Sequence, residues 1–87
     1  METEVRNTQL LSLEEARVIA SLMEKELTTP NNYPLTLNSL LAACNQKSNR
    51  EPVMALSEGQ LGNVVNRMAD RELLFVEYGE QIGRAHV

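Results

Sequence analysis

The chain has 87 residues, enough for one domain and too few for two. With two Tyr, one Phe and no Trp, its core must be aliphatic, which suits packed helices better than a sheet. A formal charge of −4 disfavours strong non-specific attraction to nucleic acid or anionic membrane. The single cysteine excludes an internal disulfide. Because no stretch resembles a signal peptide or a membrane span, we expect a cytoplasmic protein.

A capped helix is the first predicted element. Residues 1–11 are polar at their start and predict a flexible tail, which leaves 12–87 as the domain. Ser12 and Glu15 have the spacing of a capping box. Apolar residues then recur every three or four positions and predict the buried face of a helix of about four turns. They are Leu13, Ala16, Ala20, Met23 and Leu27, and Ile19 widens this stripe.

Val18 and Leu22 lie across this helix from the predicted core face. At positions i and i+4 they form a small apolar ridge. The functional interpretation is self-association: the ridge would dock a second copy or a second winged-helix domain. The alternative is two ordinary exposed aliphatic side chains, or a contact with the tail.

Two more helices follow, each with its own cap. Pro30 ends the first helix, and Thr36 predicts the cap of a short second one with inner residues Leu37, Leu40, Leu41 and Cys44. Ser57 and Gln60 form a second capping box and open a third helix. Its predicted core residues are Leu61, Val64, Val65, Met68 and Ala69.

A hairpin is predicted at the end of the chain. Residues 73–78 are rich in strand formers and stop at Gly79. Residues 79–83 are predicted as the hairpin loop and residues 84–87 as the start of the return strand. The fold class is therefore mainly α with a small β hairpin: a winged helix-turn-helix of three helices and a C-terminal wing. A plain three-helix bundle is the competing fold.

The segment between the second and third helices is unusually long for a helix-turn-helix, and long ordered loops often carry function. Lys47 and Arg50 are expected to face outward as contacts for nucleic acid or a protein partner. Asn45, Asn49 and Pro52 are expected to shape the loop itself, since Asn hydrogen-bonds local backbone and proline restricts the residue before it.

The third helix stands where helix-turn-helix regulators read DNA. Gln60, Asn63 and Arg67 share its outer arc and are residue types that pair with base edges. Residues 57–72, however, carry two basic and three acidic side chains, which gives poor support for phosphate contact. A solvated face on a structural helix remains the alternative.

Catalytic and metal chemistry find little support in the sequence. Cys44 falls on the inner stripe of the second helix, where a lone cysteine is usually a buried small hydrophobe. One Cys and the distant His86 do not make a zinc site. We expect no enzyme activity, no metal, no cofactor and no small-molecule substrate.

One segment carries a family resemblance. Residues 43–54, ACNQKSNREPVM, resemble the most recognisable stretch of the YceH family of uncharacterised bacterial proteins (UPF0502-type). Segments 13–19, 24–26, 28–30 and 33–35 extend the match, which runs from about residue 12 to 78. The resemblance implies a winged-helix first domain, with a second similar domain in longer members. It also implies an incomplete wing here, because members continue into a basic, Tyr-containing return strand.

Two hypotheses for function follow. The first is a non-enzymatic winged-helix regulator that binds DNA and self-associates, supported by analogy of fold. The second is a winged helix used for protein–protein contact or dimerisation without nucleic acid, which the acidic balance fits better.

Overall fold

Three helices and an antiparallel hairpin follow one another in the order of a winged helix. In the computed structural model, residues 10–77 and 80–85 are described. The helices are α1 (Leu13–Thr28), α2 (Leu37–Cys44) and α3 (Glu58–Asp70), with a 3₁₀ turn at Pro30–Asn32. The strands are β1 (Leu74–Glu77) and β2 (Gln81–Arg84). The predicted fold class is confirmed. In these ranges no helix is long and apolar enough to cross a bilayer.

The predicted helix starts are confirmed by hydrogen bonds. The Ser12 and Ser57 hydroxyls accept from the N–H groups of Glu15 and Gln60, whose side chains accept from the serine N–H groups in return. The Thr36 hydroxyl accepts from the Ser39 N–H. Because each bond satisfies a donor that the helix leaves unpaired, the caps set where each helix begins.

The core faces of α2 and α3 are also as predicted. Leu40 and Cys44 of α2 are fully buried, and the apolar stripe of α3 packs against them. Leu37, Leu41 and Ala69 are partly buried at the rim of this cluster. The two helices pack on each other without aromatic side chains, as the scarcity of aromatic residues predicts.

The orientation predicted for α1 is wrong. Leu13 is 57% exposed and Leu27 81% exposed, and Ala16, Ala20 and Met23 also face solvent. The buried residues of α1 are Glu15, Arg17, Val18, Ser21 and Leu22. Three of these five are polar, so the helix turns a mixed face inward and an apolar face outward. Ile19 is partly buried at the boundary.

Val18 and Leu22 are therefore not an exposed ridge, and the prediction that they mediate self-association is wrong. Both are fully buried and belong to the hydrophobic core with Leu40 and Leu61. The physical reason is that Arg17 and Glu15, on the same side of α1, find hydrogen-bond partners in distant parts of the fold and so turn this side of the helix inward. These two polar side chains can accompany Val18 and Leu22 inward because the structure supplies hydrogen-bond partners.

The return strand begins earlier than predicted. β2 starts at Gln81, and Gly83 lies within the strand opposite Phe75. A Cβ on Gly83 would lie 2.4 Å from Cζ of Phe75, so the glycine makes room for the ring and does not mark a turn. Residues 1–9, 78–79 and 86–87, which include most of the predicted tail and parts of the predicted loop and return strand, lie outside the described residues.

The wing is fastened to the segment before α2. Leu35 and Ile82 exchange backbone hydrogen bonds of 2.9 and 2.7 Å in an isolated antiparallel bridge. The Tyr33 hydroxyl accepts from the Arg84 N–H at 2.8 Å. These bonds place the hairpin beside α2 and fix the wing relative to α3.

An ion pair ties the start of α1 to the end of α3. The Arg71 guanidinium lies 3.1 Å from the Glu15 carboxylate and also donates to the Leu10 carbonyl. The hydrogen bond from the Ser12 N–H is the largest cause that lowers the pKa of Glu15 below 4.5, its usual value; burial opposes it and Arg71 adds to it. The Ser12 N–H of the helix cap and the Arg71 guanidinium therefore both stabilise the ionised form of the Glu15 carboxylate.

Glu15→Gln is expected to make folding less dependent on pH. Because the folded-state pKa is lowered, the carboxylate stabilises the fold above its unfolded pKa, and this stabilisation is lost as pH falls through the folded pKa. Urea unfolding should show the variant less stable by about 1 kcal/mol at neutral pH, as for a partly exposed ion pair. The difference should shrink on acidification. A difference that stayed constant down to strongly acidic pH would contradict the assignment.

Candidate functional site

The outer surface of α3 carries the side chains predicted to contact a partner. Gln60, Asn63 and Arg67 are all exposed, and they line one shallow depression together with Glu14 of α1. The structure thus brings these three residues together as predicted. Asp70 is also exposed on this helix, so the positive charge of Arg67 has a negative charge nearby in the sequence.

Of the two loop cations, one is free and one is not. Lys47 is exposed, as predicted. The prediction that Arg50 faces outward is wrong, because its side chain is only 8% exposed. Its guanidinium donates to the Ala43 and Asn49 carbonyls at 3.0 Å and pairs with the Glu24 carboxylate at 2.6 Å. Arg50 holds the loop against α1 and α2.

The three residues expected to shape the loop do so. The Asn45 amide donates to the Leu56 carbonyl and accepts from the Leu56 N–H, both at 2.9 Å, and so closes the two ends of the loop. Asn49 has a φ of 59°, a left-handed conformation that Asn tolerates better than most residues. Pro52 follows a cis peptide bond, and its carbonyl accepts a hydrogen bond from Arg17.

Arg17 is the principal residue that the sequence interpretation missed. It is 7% exposed, and its guanidinium donates to the Cys44 carbonyl at 2.9 Å and to the Pro52 carbonyl. It therefore joins α1 to the end of α2 and to the loop. Arg17 stands beside the apolar stripe of a helix, and nothing in that position indicates that it binds the loop. The signal in the sequence was the long loop itself, because its backbone carbonyls need hydrogen-bond donors.

Most cations of the described residues are committed within the fold. Arg17, Arg50, Arg71 and Arg84 all hydrogen-bond or pair internally, Arg84 with Glu26 at 3.2 Å. Lys25, Lys47 and Arg67 have no such side-chain bond in these ranges. Over the same ranges, six acidic side chains are exposed and make no ion pair: Glu51, Glu58, Asp70, Glu72, Glu77 and Glu80. The uncommitted charges of the outer surface in these ranges are thus mostly acidic.

A groove runs between α3 and the wing. Its apolar part, about 240 Å³, is lined by Leu37, Val65, Val76 and Ile82, and also by Gly62, Asn66 and Glu80. An adjoining depression of about 200 Å³ shares Leu37 and Glu80 and adds Glu58. We call the two together the α3–wing groove. It combines an apolar floor with two exposed carboxylates and has no cation among its lining residues.

Two further places bear on chemistry. An open cavity of about 470 Å³ lies between the 3₁₀ turn and the start of α2, and its lining contains none of the predicted contact residues. Cys44 is fully buried, and burial raises the pKa of its thiol despite the nearby Ser21 hydroxyl and the Arg17 and Arg50 guanidinium groups. The thiol is thus poorly suited to act as a nucleophile.

Comparison with known proteins places the chain in a family. A family profile described as "Protein of unknown function, DUF480" matches residues 11–86. The chain belongs to the DUF480 family. It is 52% identical over 75 residues to a UPF0502 protein of Cellvibrio japonicus, 62% over 65 residues to one of Psychromonas ingrahamii, and 58% over 71 residues to one of Shewanella frigidimarina.

These matches confirm the resemblance and define its extent. They cover 86%, 75% and 82% of this chain but only 34%, 30% and 32% of the respective relatives. The chain thus spans about a third of the length of the curated relatives it matches. The family is uncharacterised, so the geometry of this domain is the basis for a proposal about function.

Proposed function

We propose that this domain is a non-enzymatic winged-helix module that binds a basic, partly apolar segment of a protein partner in the α3–wing groove. The observation that carries the proposal is the placement of Glu58 and Glu80 at the edge of an apolar floor formed by Leu37, Val65 and Ile82. Carboxylates beside a hydrophobic groove complement a segment with lysine or arginine next to an aliphatic side chain.

DNA binding, the first hypothesis from the sequence, receives less support from the geometry. A winged helix that reads DNA needs cations around α3 and the wing for phosphate contact. Arg50 is withdrawn into the fold, while Glu58, Glu77 and Glu80 stand exposed on that side of the molecule. Gln60, Asn63 and Arg67 line a separate depression beside Glu14, and neither they nor Lys47 belong to the α3–wing groove.

Two supporting points concern setting and chemistry. The one cysteine is unpaired and buried, which suits a reducing compartment, so we place the module in the cytoplasm. The raised pKa of its thiol supports a role in packing and not in catalysis.

A peptide probe tests the groove. A fluorescein-labelled peptide of alternating Lys and Leu should bind the domain, whereas a matched Glu and Leu peptide should not. Glu58→Gln with Glu80→Gln should weaken binding about tenfold, since two exposed ion pairs contribute up to about 1 kcal/mol each. Fluorescence anisotropy measures both affinities.

The control is a second double variant with the same change in net charge. Glu51→Gln with Glu72→Gln removes two exposed carboxylates that do not line the groove. It should leave the affinity for the Lys and Leu peptide nearly unchanged. Equal losses in the two double variants would show attraction by net charge alone and would contradict the proposed site, as would the absence of peptide binding.

A further inference from the structure

The solvent face of α1 is an apolar stripe. Leu13, Ala16, Ala20, Met23 and Leu27 are all exposed and are spaced alternately by three and four residues. This spacing is the a and d pattern by which one helix packs along another. We call these five residues the α1 stripe. It is apolar along the whole length of the helix, while the opposite face buries Glu15, Arg17 and Ser21.

The inward polar side chains show that the stripe is not a core face turned the wrong way. Arg17 is bonded to two carbonyls and Glu15 to Ser12 and Arg71. Rotating α1 to bury the stripe would break these bonds and would expose Val18 and Leu22. The helix is thus apolar on two sides, and a contiguous exposed apolar face indicates an interaction surface.

We propose that a second copy of this chain packs on the α1 stripe, with the two α1 helices antiparallel and a two-fold axis at Ala20. The stripe is self-complementary about that residue. Leu13 lies seven positions before Ala20, and Leu27 lies seven positions after it. In an antiparallel pair, Leu13 of each chain therefore faces Leu27 of the other. Small side chains at Ala16 and Ala20 allow the helices to approach closely at the centre.

The charges at the edges of the stripe do not oppose a second copy. Glu24 lies along one edge and pairs with Arg50 at 2.6 Å, and Glu26 lies along the other and pairs with Arg84 at 3.2 Å. Both acids are thus neutralised within each chain. Although the chain carries a net charge of −4, two copies would not place unpaired like charges opposite each other here.

This surface is independent of the proposed function. The inner side of α1 packs on α2, α3 and β2, so the stripe points away from them, and no residue of the stripe lines the α3–wing groove. A dimer formed through α1 would leave two grooves open. The dimer and the peptide site can therefore fail or succeed separately.

Sedimentation of the 87-residue chain tests the association. We expect a reversible monomer–dimer equilibrium, and Leu27→Glu should raise the dissociation constant at least about thirtyfold, because each dimer would then place two glutamates against Leu13 side chains. Val53→Glu is the matched control, because Val53 is an exposed apolar residue that is not part of the stripe and lies on the loop before α3. It should leave the equilibrium unchanged.

Cysteine cross-linking tests the geometry. Two α1 helices at the usual interaxial distance of about 8–10 Å bring facing Cα atoms within disulfide range. Ala20→Cys should therefore form a disulfide dimer on oxidation, while the native Cys44 stays protected by burial. Leu27→Cys alone should not cross-link, but mixed with Leu13→Cys it should form a mixed disulfide.

Two results would overturn the proposal. A chain that stays monomeric at every concentration would show that the stripe does not bind a second copy, and would leave it to a partner outside these 87 residues. A dimer that is weakened as much by Val53→Glu as by Leu27→Glu would place the interface elsewhere. Efficient self-cross-linking of Leu27→Cys would indicate parallel helices and would overturn the two-fold axis at Ala20.

Discussion

Arg17→Met is expected to lower the free energy of unfolding by about 3–5 kcal/mol. The guanidinium is almost fully buried and donates charge-assisted hydrogen bonds to the Cys44 and Pro52 carbonyls. Each such bond contributes about 1.5–3 kcal/mol, and removing the donor leaves two carbonyls without it. Because methionine keeps most of the hydrophobic stem, the decrease in the free energy of unfolding measures mainly the contribution of the hydrogen bonds. Urea unfolding at neutral pH measures it.

Arg67→Met is the matched control. Arg67 is exposed on α3 and has no side-chain hydrogen bond in the described ranges, so its replacement should change stability by no more than about 0.5 kcal/mol. The loss of stability for Arg17→Lys should lie between those of the two methionine variants, because an ammonium group lacks the planar fork that reaches both carbonyls. Equal, small effects of Arg17→Met and Arg67→Met would show that Arg17 does not fasten the loop.

Leu22→Ala is expected to cost about 2–5 kcal/mol, while Leu27→Ala should cost less than about 0.5 kcal/mol. Leu22 is fully buried in the core, whereas Leu27 is 81% exposed on the same helix. The two variants lose the same atoms from the same helix, so the comparison reports which side of α1 faces the core. Unfolding should be followed at protein concentrations too low for association, so that the stripe contributes through the monomer alone.

The opposite order of these two variants would contradict the structure. A large loss for Leu27→Ala with a small loss for Leu22→Ala is what burial of the α1 stripe in the domain core would give. A loss for Leu27→Ala that grows with protein concentration has a different meaning, because it reports dissociation of a dimer and not unfolding of the monomer.

The sequence predicted most of the fold because its helix signals are local. Ser12, Thr36 and Ser57 cap the three helices as expected, since a cap depends on residues within one turn. The core faces of α2 and α3 follow from one apolar stripe each. The length of the loop before α3 was equally clear, because no helix or strand signal falls within it.

The orientation of α1 could not be predicted from periodicity, because the helix carries two apolar sides. The α1 stripe is longer and more regular than the pair Val18 and Leu22, and a pattern alone favours the longer stripe. The choice is made by partners distant in sequence: Arg17 finds carbonyls 27 and 35 residues away, and Glu15 finds Arg71 56 residues away. A narrow stripe at the a and d positions is typical of a helix that packs along another helix, and this pattern was the signal that the stripe need not face the domain core.

The same cause explains what was missed at the candidate site. Arg50 looked like a free cation because nothing near it in the loop is its partner; Glu24, which neutralises it, lies on α1, 26 residues away. The α3–wing groove depends on the Leu35 and Ile82 bridge, which joins segments on either side of α2 and α3. Exposed positions on one helix, such as Gln60, Asn63 and Arg67, were predictable because they need only local periodicity.

DNA binding as a function of salt tests directly whether α3 and the wing lack the cations that phosphate contact needs. At about 50 mM salt, where phosphate contacts are strong, we expect no change in the anisotropy of labelled duplex DNA when the wild-type chain is added. Glu58→Lys with Glu80→Lys should create binding that falls with salt, because the two lysines would give α3 and the wing the missing cations. Wild-type binding that weakens with salt, and is reduced by Lys47→Ala with Arg67→Ala, would contradict the proposed function.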